Sequence, residues 1–252
     1  MAAALGKGLT ATDIKVRDRA LDALHKLKEH AIAALPSIKK ALDRRETAFI
    51  LKLIDLIREI GPDASETIPD LLGIFQANEK IELLRIKIIQ TIGTMRAKAL
   101  PYAKTLLAEA LKSNRLKERE EIVSTIGEMK LTKAADISAM LPLFTRQFWM
   151  RPNDHDKLAK HLARVIGTKI GLPALEVLVE RIKVKDDQFQ IREGCILAIG
   201  EMGPTASVAA EFLKKCQEVF EDAAKKSKTI KQRDGYVRLY RAAVANHPRI
   251  QR

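Results

Sequence analysis

The feature that most constrains this chain is a helix with a hard stop that recurs along its whole length. The stretch Ile191 to Ala206 reads I-R-E-G-C-I-L-A-I-G-E-M-G-P-T-A. Ile191, Cys195, Ala198 and Ile199 fall on one face at helical spacing. Gly203 and Pro204 then end the helix, because glycine accepts the left-handed cap and proline cannot continue a helix. Val16-Arg17 to Leu24 repeats the pattern, as do Leu84-Arg85 to Met95 and Glu118-Arg119 to Met129. Phe49 to Gly61 and Leu158 to Gly167 repeat it with Ile50 and Ala159 in place of the arginine. Arg233-Asp234-Gly235-Tyr236 echoes Arg192-Glu193-Gly194-Cys195. The marker positions are then 17, 50, 85, 119, 159, 192 and 233, a spacing that marks stacked helical hairpins.

A second signal agrees. Pro36, Pro69, Pro101, Pro142 and Pro173 recur where the first helix of each hairpin begins, a position where proline's missing N–H is not needed. The expected fold is all-α: a right-handed α-α superhelix of six to seven hairpins, forming one array over residues 1–252 that opens on half a repeat. Hydrophobic residues make up 46% and aromatics 4%, which suits aliphatic packing between helices and no sheet. No apolar run is expected to span a bilayer, and Met1 to Lys7 is too short for a secretory signal. The two cysteines, Cys195 and Cys216, give no disulfide framework. A cytoplasmic location is the expectation.

The net charge is +13, and nine Lys or Arg stand against one Asp from Lys225 to Arg252. The cations Lys225, Lys226, Lys228, Lys231, Arg233, Arg238 and Arg241 make this basic C-terminal segment (225–252) a candidate surface for an acidic partner or nucleic acid. The other reading is a solvated cap on the last repeat.

The segments V-R-D-R-A-L-D-A-L, L-I-R-E-I-G-P-D-A-S-E-T-I-P-D-L-L and A-I-G-E-M-G-P-T-A resemble HEAT repeats, most closely the bacterial, phycobilisome-lyase-like kind. The resemblance covers roughly residues 9 to 245. It implies an α-solenoid used mainly for protein binding, with a few members that are enzymes or nucleic-acid binders. It also implies that an Asp in each hairpin turn meets the arginine of the second helix, and Asp13 before Arg17 and Asp186 before Arg192 fit. Departures are Lys28, Arg96, Lys130 and Ile170 at the loop-glycine position, and Ile50 and Ala159 at the arginine position.

Three constellations bear on function. The arginines Arg17, Arg85, Arg119 and Arg192 read either as a structural ladder satisfying groups between layers or as a grip on an acidic ligand. The segment 146–157 breaks the period, and extra residues in a solenoid go into loops on one face, often the binding face. It holds the only tryptophan, so Phe148, Trp149, Arg146 and Arg151 are candidate contacts for a protein partner. The alternative is that Phe148 and Trp149 cover the core. Asp154, His155, Asp156 and His161 supply too few ligands on one face for a metal. No Gly-rich phosphate loop or Gly-x-Ser-x-Gly elbow is present. The expectation is therefore a non-enzymatic scaffold, without metal or cofactor, that binds a protein through the concave face lined by the second helices and through the 146–157 loop. The alternative is nucleic-acid binding through the basic C-terminal helix, with a HEAT-like DNA glycosylase using Asp154 or Asp156 as its remotest form.

Overall fold

The structure is a computed structural model. It describes all residues except Arg45, Phe148, Trp149, Lys185, Asp187 and Arg252, and the side chains of Pro248 and Gln251 are likewise outside it. The described residues are helical or in turns, with no strand among them. The fold is all-α, and the chain forms two compact units, 1–102 and 103–252.

In the first unit the helices are α1 (Ala2–Gly8), α2 (Ile14–Leu27), α3 (Leu35–Leu42), α4 (Thr47–Ile60), α5 (Ile68–Ala77) and α6 (Glu82–Thr94). Asp13 begins α2 as its N-cap, accepting the Lys15 amide at 2.7 Å. The hairpins α1–α2, α3–α4 and α5–α6 stack so that α4 packs between α2 and α6. Leu53, Ile54, Leu56 and Ile57 of α4 are fully buried. Each such side chain contributes about 1.5–3 kcal/mol on leaving water.

In the second unit the helices are α7 (Ala103–Lys112), α8 (Leu116–Glu128), α9 (Ala134–Ser138), α10 (Pro152–Val165), α11 (Leu175–Lys183), α12 (Phe189–Met202), α13 (Ala210–Lys226) and α14 (Ile230–Gln251). The second helices α8, α10, α12 and α14 pack in sequence against one another. The first helix of the second hairpin is broken: α9 is five residues long and is followed by a 3-10 turn, Leu141–Phe144, which carries Pro142. Residues 152–157, expected in a loop, are the first turns of α10, because Pro152 sits at the helix start where proline is favoured.

Each turn from one hairpin to the next needs a residue at positive φ. Gly61 (75°), Gly171 (67°) and Gly203 (59°) supply it without a Cβ, while Lys28 (49°), Arg96 (50°) and Lys130 (57°) adopt it despite having one. The exception to the sequence reading is Ile170. After α10 the chain makes a π turn, Ile166–Ile170, which takes up one extra residue and delivers Gly171 to the left-handed position.

An 18-residue window within Phe189–Lys226 reaches a mean hydropathy of 1.2, enough by length and composition to cross a membrane, where no such run is expected from the sequence. Phe189–Lys226 is not one helix but α12, the 3-10 turn Gly203–Ala209 and α13 in series. The apolar side chains of α12, such as Cys195, Ile196, Ala198 and Ile199, are fully buried in the core.

Candidate functional site

The recurring arginines lie inside the hairpins. Each second helix begins beside the end of its first helix, whose last carbonyls have no partner within that helix. The fourth residue of the second helix reaches those carbonyls. Arg85 donates to Phe75 O at 2.6 Å with its guanidinium 3.5 Å from the Phe75 ring. Arg119 donates to Leu111 O at 3.0 Å and Ser113 O at 2.9 Å, and Arg192 donates to Ile182 O at 3.1 Å. Arg17 donates to Ala11 O and Thr12 O and forks onto the Glu46 carboxylate at 3.0 and 2.9 Å. All four are buried. Burial holds the guanidinium of Arg119, and of Arg192, below the usual arginine value.

The carboxylate partners differ from those the resemblance implied. Arg17 pairs with Glu46, the N-cap of α4, while Asp13 caps its own helix. Asp186 pairs with Arg181 at 2.7 Å. Burial pushes the Asp186 carboxyl up, but the hydrogen bonds from Arg181 and the Gln188 amide outweigh it and leave it below the usual range.

The marker of α10 is His155, not Ala159. His155 is the fourth residue of its helix, is buried, and its Nε2–H donates to Phe144 O at 2.8 Å. With it the markers read 119, 155 and 192, and the stretch between 119 and 192 divides almost evenly. His155 is thus a structural donor. Among the described residues no three His, Cys, Asp or Glu side chains gather to hold a metal ion. Cys195 and Cys216 are free and buried, and burial pushes their thiols up to about 12 and about 11. A thiol so shifted is inert as a nucleophile near neutrality.

Phe148 and Trp149 lie outside the described residues. Arg146 is exposed and closes its own turn, its Nε–H donating to Met150 O at 3.0 Å, while its amide donates to Gln190 Oε1. Arg151 is exposed at the N-cap of α10.

The basic C-terminal cations are partly neutralised by acids just upstream. Lys225 meets Glu221 at 2.7 Å and Lys226 meets Asp222 at 2.8 Å, one helical turn back on α13. The bond from Glu221 raises the Lys225 ammonium above its usual value. Arg238 pairs with Glu193 at 3.0 Å, and Arg233 is 3.9 Å from Asp234. Lys228, Lys231 and Arg241 are exposed. Arg233, although in the marker position of α14, is exposed and does not join the buried row.

A chemistry-bearing opening lies on the second-helix face of the second unit. It is a cleft of 650 Å³ among α8, α10, α12 and α14. Leu197 and Ala245 give it an apolar floor, and Lys157, Lys160, His161 and Arg164 of α10 line it opposite Glu201 and Arg249. His161 is held in one orientation. A guanidinium can only donate, so Arg164 Nη2 gives a hydrogen to Nδ1 at 3.1 Å and the hydrogen of the ring lies on Nε2. That Nε2 is 2.9 Å from Ser124 Oγ and 3.1 Å from Glu120 O. On the far wall Asn246 is buried, bonded to Ala242 O at 2.8 Å, and packs onto Gly200, where a Cβ would come 2.0 Å from its Oδ1.

A further opening of 610 Å³ in the first unit lies at Ile50, the hairpin without a marker arginine, and is lined by Leu42, Asp43, Thr47, Asp70 and Gly73.

These observations define a class: a helical-hairpin repeat protein whose recurring arginines are internal and whose open chemistry lies on the second-helix face. No family model and no curated protein sequence matches the chain. Among solved structures it is similar to the complex of CpcE and CpcF of phycocyanin lyase from Nostoc sp. PCC7120, at 17% identity over 96% of this chain and 94% of that one, with a TM-score of 0.44. It is also similar to an engineered protein, at 14% identity over 97% of each chain, with a TM-score of 0.27. The likeness to phycobilisome-lyase-like HEAT proteins read from the sequence thus recurs among solved structures. One expectation is corrected by it. The sequence expectation is a non-enzymatic scaffold, whereas this solved neighbour is a phycocyanin lyase complex.

Proposed function

We propose that this chain is a partner-binding repeat protein whose docking surface is the second-helix face of residues 103–252, together with the sequence segment 146–151 that holds Arg146, Phe148, Trp149 and Arg151. The observation that carries the reading is the cleft of 650 Å³. It combines an apolar floor at Leu197 and Ala245 with a rim of charged side chains. Interfaces commonly pair a desolvated centre with a polar rim in this way. Ala245 is exposed on α14, so a larger side chain there fills the cleft without entering the core.

Ala245→Trp is expected to abolish retention of a protein partner from lysate of the source cells, while Val208→Trp, on a surface away from the cleft (Val208 is 80% exposed), retains it. Both variants should unfold at the wild-type temperature. A partner retained equally by Ala245→Trp and the wild type would refute this docking surface. Trp149, the single tryptophan, reports on the same question: its emission should change as a purified partner is titrated in.

The nucleic-acid reading of the C-terminal segment loses support from the pairing of Lys225, Lys226 and Arg238 with carboxylates. Those pairs lower the charge available for counterion release.

A further inference from the structure

Within each unit, successive second helices are joined by ion pairs that run from one hairpin to the next. Asp18 of α2 meets Lys52 of α4 at 3.0 Å, and Asp55 of α4 meets Lys87 of α6. Glu128 of α8 meets Lys169, just beyond α10, at 2.8 Å. Glu193 and Glu201 of α12 meet Arg238 and Arg249 of α14 at 3.0 and 3.1 Å. In each of these Lys and Arg pairs the acid precedes the base by one hairpin; the contact of His25 on α2 with Glu59 on α4, at 2.9 Å, runs the other way.

The step from α10 to α12 breaks the rule. There α10 presents Lys160 and Arg164 at the helix positions where Asp55 of α4 and Glu128 of α8 stand, with Lys157 beside them on the same cleft, while Asp156 keeps the acid found at Asp18 and Glu193. The two acids of α12 on that face, Glu193 and Glu201, are engaged by α14. Among the described residues Lys157 and Lys160 make no ion pair, and Arg164 donates to the Nδ1 lone pair of His161. All three cations are exposed and line one cleft. Three like charges gathered on one helical stretch repel one another, and an opposite charge brought from outside relieves that repulsion.

We infer that the cleft receives a carboxylate-rich segment of a partner protein, with Lys157, Lys160 and Arg164 taking the place on α10 that cross-helix ion pairs occupy elsewhere. This rests on the docking surface proposed above and adds the chemistry of its partner. The occupant is a polypeptide acid and not a nucleic acid. The floor at Leu197 and Ala245 is apolar, and the cleft wall carries two carboxylates, Glu120 and Glu201, beside the cations. That mixed rim suits spaced side-chain carboxylates better than a continuous phosphate backbone. Among the described residues no Phe, Tyr or Trp lines this cleft for bases to stack upon.

The test uses the full chain and a fluorescently labelled oligoglutamate peptide, with an oligoserine peptide of equal length and a single-stranded DNA oligonucleotide as comparators. Anisotropy should show saturable binding of oligoglutamate, weakening as salt rises, and none of oligoserine. Reversing Lys157, Lys160 and Arg164 to Glu should weaken oligoglutamate binding about tenfold or more, since three exposed pairs are lost. Reversing Lys228, Lys231 and Arg241 to Glu should leave it unchanged. Oligoglutamate binding that survives the α10 reversal overturns the inference, as does tighter binding of DNA that the α10 reversal abolishes. The two failures separate cleanly. If Ala245→Trp loses the protein partner while the α10 reversal keeps both that partner and the peptide, the docking surface stands and its acidic partner falls.

Discussion

One substitution type, glycine to alanine, should change sign along this chain for reasons that are visible atom by atom. In an open helix interior alanine is favoured over glycine by about 1 kcal/mol, because glycine loses more backbone freedom on folding. Gly73 in α5 is such a site: an added Cβ meets nothing within 4 Å. Gly73→Ala should therefore stabilise the protein by about 0.5–1 kcal/mol. Gly167 sits where the π turn after α10 crosses α12. A Cβ there would lie 2.6 Å from Glu201 Cβ and 2.7 Å from the backbone oxygen of Ala198. Backbone cannot rotate away as a side chain does, so the helices must separate. Overpacking of this kind costs about 1–3 kcal/mol, and set against the propensity gain the net loss should be about 2 kcal/mol at its upper end. Gly127 is intermediate, its Cβ meeting Val165 Cγ1 at 2.6 Å, a side-chain atom. Urea unfolding followed by far-UV circular dichroism would give the three midpoints. The expected order is Gly73→Ala above wild type, then Gly127→Ala, with Gly167→Ala lowest. A Gly167→Ala midpoint equal to that of Gly73→Ala would refute the close crossing of α10 and α12, and with it the geometry of the cleft.

Two further predictions concern the buried polar groups. Arg119→Met and His155→Leu each remove donors from first-helix carbonyls, Leu111 O and Ser113 O in one case and Phe144 O in the other; urea midpoints should show a loss of about 2–3 kcal/mol for the charged donor and about 1–2 kcal/mol for the neutral one, and unchanged midpoints would mean that those carbonyls are satisfied another way. The thiols of Cys195 and Cys216 are raised from 9.0 to about 12 and about 11, so above pH 9 the unfolded chain releases protons that the folded chain keeps. Their contribution to stability is therefore complete below pH 9 and declines as pH rises through that window, a slope that Cys195→Ala and Cys216→Ala together should flatten in a pH series of urea midpoints.

The hairpin framework was legible because its signals are local. Proline and glycine punctuate the chain on backbone grounds, and the marker arginines stand at one position in their helices. His155 was not legible as a marker because its type differs. A histidine with an aspartate on each side reads as a ligand set until the helix is known to begin at Pro152. The displaced glycine at 171 was hidden for a similar reason, since a π turn leaves no trace in hydrophobic period. The cleft itself was out of reach. Lys157, Lys160 and Arg164 look like any solvated helix face, and what distinguishes them is that Glu193 and Glu201 turn toward α14. The charge of the C-terminal segment has to be read with its upstream neighbours. Counting from Lys225 left out Glu221 and Asp222, which lie one turn upstream and hold two of those lysines.

The internal arginines have a consequence for how such a chain changes over time. Arg85, Arg119 and Arg192 each grasp backbone oxygen at the end of a neighbouring helix, and a carbonyl is the same whatever side chain it carries. The joint inside a hairpin is therefore indifferent to most of the residues around it. Substitutions can accumulate between the joints, and hairpins can be duplicated or exchanged, without a matched change elsewhere. A chain built on such joints drifts far in sequence while its architecture persists, and its individuality gathers on the solvent face of the second helices.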